Sequence, residues 1–312
     1  MPLPEAWLSR LSVPAIAAPM FMISNPELTI ACCEAGLIGT FPALNQPDSQ
    51  GYEAWLDAIE ERLGRRPDAA PFGVNLSLRR GNQRLERDLE ITIAHRVPIV
   101  LTSLGISDEV VDRIHAYGGI LLHDVVNQRH ARRAVAAGVD GLILVCAGAG
   151  GHAGRLNPFA FLAETRSGFD GIIVLAGGIT DGRQIAAAKL AGADLASLGT
   201  RFIMTRESGA PDAYKAMIAQ ASTADLVYTP HLTGVGASFL AASLNAWGID
   251  GEEPSAAIDR TTRTVRHEGR EGKVWRDIWS AGQAAGAIDD IPPATDLCRR
   301  LAEEYAEAMG TC

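Results

Sequence analysis

The chain has no run of about 18 consecutive apolar residues, and its opening, MPLPEAWLSRLSVP, lacks the basic head and long apolar stretch of a secretory signal. Neither a membrane span nor export is expected, and the reading is a cytoplasmic protein with no membrane partner. Cysteine is sparse: Cys32, Cys33, Cys146, Cys298 and Cys312 are odd in number and never spaced CxxC, which argues against a disulfide framework and a zinc site. They read as small buried residues, with Cys312 a tail thiol. Cys146 adjoins a glycine-rich loop and is weighed as a nucleophile, but only His152 stands near enough to lower its pKa. Positive charge is in deficit, at 28 Lys and Arg against 37 Asp and Glu for a formal charge of −9, so no nucleic-acid partner is expected. The pairs Arg79-Arg80 and Arg132-Arg133 read as solvated faces. Also missing are a G-x-G-x-x-G after the first strand, a metal-binding carboxylate cluster and a strand lysine suited to a Schiff base.

What is present is an ordinary globular balance, 47% hydrophobic and 21% charged, with 32 glycines suited to many strand-to-helix joints. Short apolar runs alternate with helical periods. The strands expected are 15–19, 37–40, 72–75, 99–101, 120–123, 141–145, 172–175 and 195–198. Helices are expected between them at 26–35, 52–63, 84–95, 108–117, 128–137, 158–165 and 182–190. Eight such units predict a TIM (β/α)8 barrel, and AGL (35–37), AGVDG (137–141) and AGADL (191–195) place glycine where a helix ends in a left-handed cap.

After Thr200 the rhythm changes. A helix is expected at 212–220, then a helical lid inserted after strand 8, covering the substrate over 223–284, with the barrel formed by 1–222 plus 285–312. Within that segment EEPSAAIDRTTRTVRHEGREG reads as exposed. The terminal TDLCRRLAEEYAEAM reads as a helix capped by Thr295 or Asp296.

In a β/α barrel the loops after the strands build the active site. LAGGITDG (175–182) and LGTRF (198–202) end the seventh and eighth strands with small residues whose backbone N–H groups can approach an anion at a helix start. A phosphate-bearing ligand fits there. CAGAGGHAGR (146–155) sets one histidine, His152, among glycines after the sixth strand. With an ordinary pKa of about 6.5 it could serve as proton acceptor or cationic anchor, or only order its own turn. His95, His115, His130 and His267 read as helix or tail residues, whereas Tyr228 and His231 flank the apolar part of the lid.

Taken in order, AAPM (17–20), FGVNL (72–76), GAGGHAG (148–154), LAGGITDG and LGTRF resemble the FMN-dependent nitronate monooxygenase or 2-nitropropane dioxygenase-like barrels, with flavin enoyl-ACP reductases and some NADH:quinone reductases as relatives. LTGVGASFL (232–240) resembles a later segment more loosely. The resemblance implies that Ala18 and Met20 lie along the flavin, that Asn75 hydrogen-bonds near its ring, and that Gly150 and Gly151 approach the isoalloxazine. It implies that Ala176, Gly177, Gly178, Gly199 and Thr200 surround the FMN phosphate, and that His152 is the catalytic histidine. His123, Tyr228 and His231 are substrate-contact candidates, with His123 either a source of positive charge or a satisfied core residue. Where several relatives carry lysine beside the ring, this chain has Asp124, whose charge would disfavour a reduced, anionic flavin unless paired or turned away.

The implied function is oxidation of alkyl nitronates or nitroalkanes with O2 to carbonyl compounds and nitrite, acting on a small molecule with no metal. The alternative is an NAD(P)H-dependent FMN reductase of enoyl thioesters or quinones, and a third is a flavin-free barrel binding a phosphosugar or nucleotide. Assembly is left open, with a homodimer admissible.

Overall fold

The computed structural model describes residues 3–249 and 256–310. Eight parallel strands close into a barrel: β1 (Ala15–Ala17), β2 (Ile38–Pro42), β3 (Gly73–Ser77), β4 (Ile99–Ser103), β5 (Ile120–Val125), β6 (Gly141–Val145), β7 (Ile172–Ala176) and β8 (Leu195–Leu198). Closure is made by β8 against β1, in the register Ala15↔Ala196 and Ile16↔Ser197. Every expected strand is present, as are the seven expected intervening helices, with ends shifted by a few residues.

The continuous apolar runs follow from burial on both faces. Alternate residues such as Ile99, Leu101, Ile120, Leu122 and Ile172 fill the barrel interior, which Leu3, Trp7 and Leu11 of the N-terminal segment close from below. Their neighbours Val100, Leu121, Leu142 and Ile173 face the helices and form the larger outer core. The side chains of Asn25, Asp48, Ser107, Asn127, Asn157 and Asp181 accept from backbone N–H groups in the first turn of the helix that each precedes. Gly36, Gly138 and Gly192 take φ of 77°, 85° and 108°, the left-handed conformation expected at those helix ends.

The expectation of a helical lid is corrected. After the helix Asp212–Gln220, β9 (Leu226–Thr229) pairs antiparallel with β10 (Ala237–Leu240), and β11 (Ala257–Asp259), β12 (Thr264–His267) and β13 (Arg270–Lys273) form a second small sheet. Only Ala241–Asn245 is α-helical between them among the described residues. The cause is visible in TVRHEGREGK, which puts Glu268 and Gly269 at φ 48° and 75°, the geometry of a two-residue hairpin turn, with His267 paired to Arg270 across it. Phe239, Leu244, Val265, Val274 and Ile278 give this cap its own core.

The terminal helix Ala294–Met309 packs against the helices Gly182–Leu190 and Pro26–Glu34. No Thr295 or Asp296 side chain caps it. Its start is fixed instead by Pro293 and by the Ala294 N–H, which donates to Glu207 Oε2 at 2.8 Å.

Candidate active site

At the C-terminal ends of the strands lies a cavity of about 1040 Å³. It is lined by every site residue expected from the sequence except His231: Ala18, Met20, Asn75, His123, Asp124, Gly150, Gly151, His152, Ala176, Gly177, Gly178, Gly199, Thr200 and Tyr228. His231 is exposed on the turn between β9 and β10 and lines a separate open depression with Ile258 and Asp259. The substrate contact expected of it finds no support in this arrangement: its backbone N–H donates to Thr229 Oγ1 at 3.1 Å, and it is absent from the lining of the larger cavity.

The loop carrying His152 is held by the cap. Gly151 and His152 pair antiparallel with Ser238 and Ala237 of β10, and the Ala153 N–H donates to Gly236 O at 3.1 Å. The Tyr228 hydroxyl donates to Ala153 O at 3.1 Å. Trp275 meets the His152 ring edge-on at 5.3 Å and stacks on Phe239 at 5.0 Å. His152 Nε2 is buried and has no hydrogen-bond partner. Burial, then the charges of Arg263 and Arg79, push its pKa down to about 4, so the ring is neutral near pH 7. A neutral imidazole can accept a proton and does not anchor an anion by charge.

The glycines around it have two causes. A Cβ on Gly150 would lie 2.7 Å from Gly282 N, and one on Gly282 would lie 2.5 Å from Gly148 O, so residues 281–282 press directly on this loop. This close approach, made by a segment distant in sequence, adds to the access for a ligand inferred from composition.

On the β7–β8 side, Gly177 and Gly178 take φ of 127° and 74°, and a Cβ on Gly177 would sit 3.0 Å from Ala147 O. Neither a backbone nor a side-chain acceptor among the described residues takes the Gly178 N–H. Thr200 Oγ1 accepts from Gly282 N at 2.9 Å, which leaves the hydroxyl proton available to an anion. Behind it, Arg201, 4% exposed in its side chain, bonds Asp290 Oδ1 at 2.8 Å and the carbonyls of Met204 and Asp290 at 3.0 Å each.

His123 is buried, shares a 2.8 Å hydrogen bond between Nδ1 and Thr102 Oγ1, and is pushed down to about 4 by burial and then His130. It is therefore a neutral, satisfied residue of the cavity wall and supplies no positive charge. Asp124 is half-buried with no ion pair or hydrogen bond, and burial raises its carboxyl to about 7. Asn75 Nδ2 reaches Ser103 Oγ at 3.5 Å, and the Ala18 N–H donates to Leu198 O at 3.0 Å, so Ala18 meets a ligand by packing. Cys146 donates to Leu144 O at 3.2 Å and is pushed up to about 12 by burial, which removes the nucleophile reading.

Sequence reasoning missed Trp275, Arg79, Arg263 and the 281–284 segment, all of which line the cavity. Arg79 and Arg80 were legible only as a basic pair after β3. Trp275 and Arg263 carried no signal, because nothing local marks a cap residue that folds back over the barrel.

Residues 6–304 match the nitronate monooxygenase family. The chain belongs to that family. It is thereby an oxidoreductase enzyme of a flavin-dependent group. Among solved structures it resembles the nitroalkane oxidase of Streptomyces ansochromogenes, at 27% identity and a TM-score of 0.81, with 98% of this chain and 99% of that one covered. A nitronate monooxygenase of Paraburkholderia phytofirmans is 27% identical, over 97% of this chain and 94% of its own. A (3aS,4S,5R,7aS)-5-hydroxy-7a-methyl-1-oxo-octahydro-1H-indene-4-carboxyl-CoA dehydrogenase of Rhodococcus jostii is 24% identical, over 91% and 90%. The chain is thus similar to proteins named for different reactions.

Proposed function

We propose that this enzyme binds FMN in the cavity and oxidises alkyl nitronates or nitroalkanes with O2 to carbonyl compounds and nitrite, with His152 as the residue that handles the substrate's proton. The observation that carries the reading is the buried, unpartnered Nε2 of a neutral His152, presented to the cavity beside a glycine-built anion cradle. Gly177, Gly178, Gly199 and Thr200 would hold the phosphate, Ala176 and Met20 would flank the cofactor, and Asn75 and Gly150–Gly151 would border its ring. Bound FMN supplies the electron acceptor. His152 Nε2 takes the α-proton of a neutral nitroalkane, which leaves the nitronate in the site, whereas an alkyl nitronate arrives already deprotonated and needs no such transfer. Trp275 and the pairing to β10 hold the imidazole in place, and residues 223–284 serve as the substrate-covering segment.

The reductase alternative keeps one supporting observation: Asp124 stands unpaired in the cavity and, protonated or not, offers an anionic flavin no positive charge. Purified protein should be yellow, and flavin content with nitrite release on a short panel of alkyl nitronates tests the reading. His152→Ala should keep the flavin and lose turnover of a neutral nitroalkane by about 100-fold or more, whereas Gly178→Asp should lose the flavin, because a carboxylate would face its phosphate. Near-normal turnover in His152→Ala overturns the assignment. Rapid anaerobic bleaching by NADH or NADPH, with no nitrite formed from nitronates in air, overturns the monooxygenase reading in favour of the reductase.

A further inference from the structure

Arg79, Arg80, Arg133 and Arg263 line the cavity, against Asp124 as its one carboxylate among the described residues. This is a cationic wall in a chain of formal charge −9. None of the four arginines has an ion pair or a side-chain hydrogen bond among the described residues, which holds equally for Arg129 and Arg132 beside Arg133 but not for the arginines near Arg79 and Arg263. Arg84, in the same loop as Arg79, is committed to Asp88 and to the carbonyls of Gln46 and Ala43. In the cap, Arg260 donates to His231 O at 2.7 Å, Arg266 pairs with Glu271 at 2.8 Å and Arg276 with Asp277 at 2.8 Å. Arg263 alone of these is left unpaired, with its Nε buried and without a partner. Arg79 and Arg263 also lie close enough for the charge of one to disfavour that of the other, and both act on His152.

Two like charges held together without a counterion raise the energy of the site until an anion enters. The glycine cradle on β7 and β8 answers to one phosphate through backbone N–H groups. The arginines come from the loop after β3, the helix Gln128–Ala136 and the cap, elements other than those of the cradle. Their planar forks match phosphate oxygens two at a time. A volume of about 1040 Å³ exceeds what one small ligand commonly fills, about 300–1,000 Å³.

We propose that Arg79 and Arg263, with Arg80 and Arg133 at the rim, form a second anion site that receives a phosphorylated nucleotide handle while the reacting carbon lies at His152. The inference rests on the FMN reading for the occupant of the first anion site. Such a handle can come from an acyl thioester substrate or from a dinucleotide reductant, and both present the same chemistry to the arginines.

The test is calorimetric titration of the purified protein, its flavin content measured beforehand, with inorganic pyrophosphate, adenosine 3′,5′-bisphosphate, adenosine and NADPH. Pyrophosphate and the bisphosphate should bind the flavin-loaded protein without releasing flavin, and adenosine should not. Arg79→Gln and Arg263→Gln should each weaken binding by about tenfold or more, with flavin content and melting temperature kept, and Lys at either position should recover part of the loss. Tighter binding of the bisphosphate than of NADPH assigns the handle to the substrate. Tighter binding of NADPH, with flavin bleaching lost in the arginine variants, assigns it to the reductant. Absence of binding by both phosphate probes, equal affinity in the double variant, or binding seen only after flavin is stripped overturns the proposal. Should the protein carry no flavin, the FMN reading fails by itself, and pyrophosphate binding sensitive to the arginines but not to Gly178→Asp still decides this site.

Discussion

Asp124 shows how one residue's charge is settled by its surroundings. Its carboxyl has no cation beside it, and burial raises its pKa from 3.8 to about 7. Between about pH 4 and pH 7 the folded protein therefore holds a proton that the unfolded chain has lost. Stability falls as pH rises through that window, and the whole cost is present above pH 7. Asp124→Asn removes the ionisation and should raise stability at pH 8 by about 1–2 kcal/mol, a value discounted because water reaches a half-buried carboxylate. Little gain is expected at pH 4, where the folded-state carboxyl and much of the unfolded-state carboxyl are already protonated. Thermal melts at the two pH values check this, and an equal gain at both would mean that packing, not charge, is responsible. From sequence, the aspartate's place near the C-terminal end of β5 was legible but the rise in its pKa was not. That depends on the depth of the cavity and on the absence of a partner, which only the fold decides. His152 followed the same course: its place after β6 was readable, while its neutrality comes from burial and two arginines distant in sequence.

At the scale of elements, what was legible is what local chemistry fixes. Strand apolarity, N-cap side chains and left-handed glycines each act within one element, and β1 to β8 with their helices followed from them. The cap was misread because a polar hairpin with a single apolar side chain, Val265, resembles exposed loop, and because its apolar core forms only when β9, β10 and the second sheet meet. The short helix Thr200–Ile203 after β8 illustrates a coupling that no local pattern reveals. Its Arg201 ties the start of the anion cradle to Asp290, which Arg300 of the terminal helix also holds at 2.7 Å. Arg201→Met leaves Asp290 one cation but strips donors from the carbonyls of Met204 and Asp290. The expected loss is about 2–3 kcal/mol, below the range for a fully buried pair because Asp290 is partly exposed. Differential scanning calorimetry should show a lower melting temperature, together with weaker flavin retention because Thr200 adjoins the disturbed residue. A variant that melts lower yet retains flavin unchanged would separate the ion pair from the cradle.

For the whole molecule, the decisive feature is a charge distribution that the sum conceals. Net acidity argues against a surface built for phosphate polymers, yet the arginines exposed after β3 and on the helix following β5 are gathered at one mouth. Their convergence results from barrel closure, which brings loops from separate β/α units and the cap to the same end. A cavity with low-dielectric walls and one sign of charge focuses its field outward, so an anionic nitronate should be captured faster than the net charge of −9 would suggest. Raising ionic strength from about 10 mM to about 150 mM shortens the screening length from about 30 Å to about 8 Å. Over that range kcat/KM for a nitronate should fall several-fold, while kcat at saturation holds, since screening acts on encounter and not on the proton held at His152. A neutral nitroalkane of the same carbon skeleton should show little change. An equal fall for both substrates would place the salt effect on the protein's conformation, and a rise for the nitronate would mean that the acidic exterior, rather than the arginine mouth, governs approach.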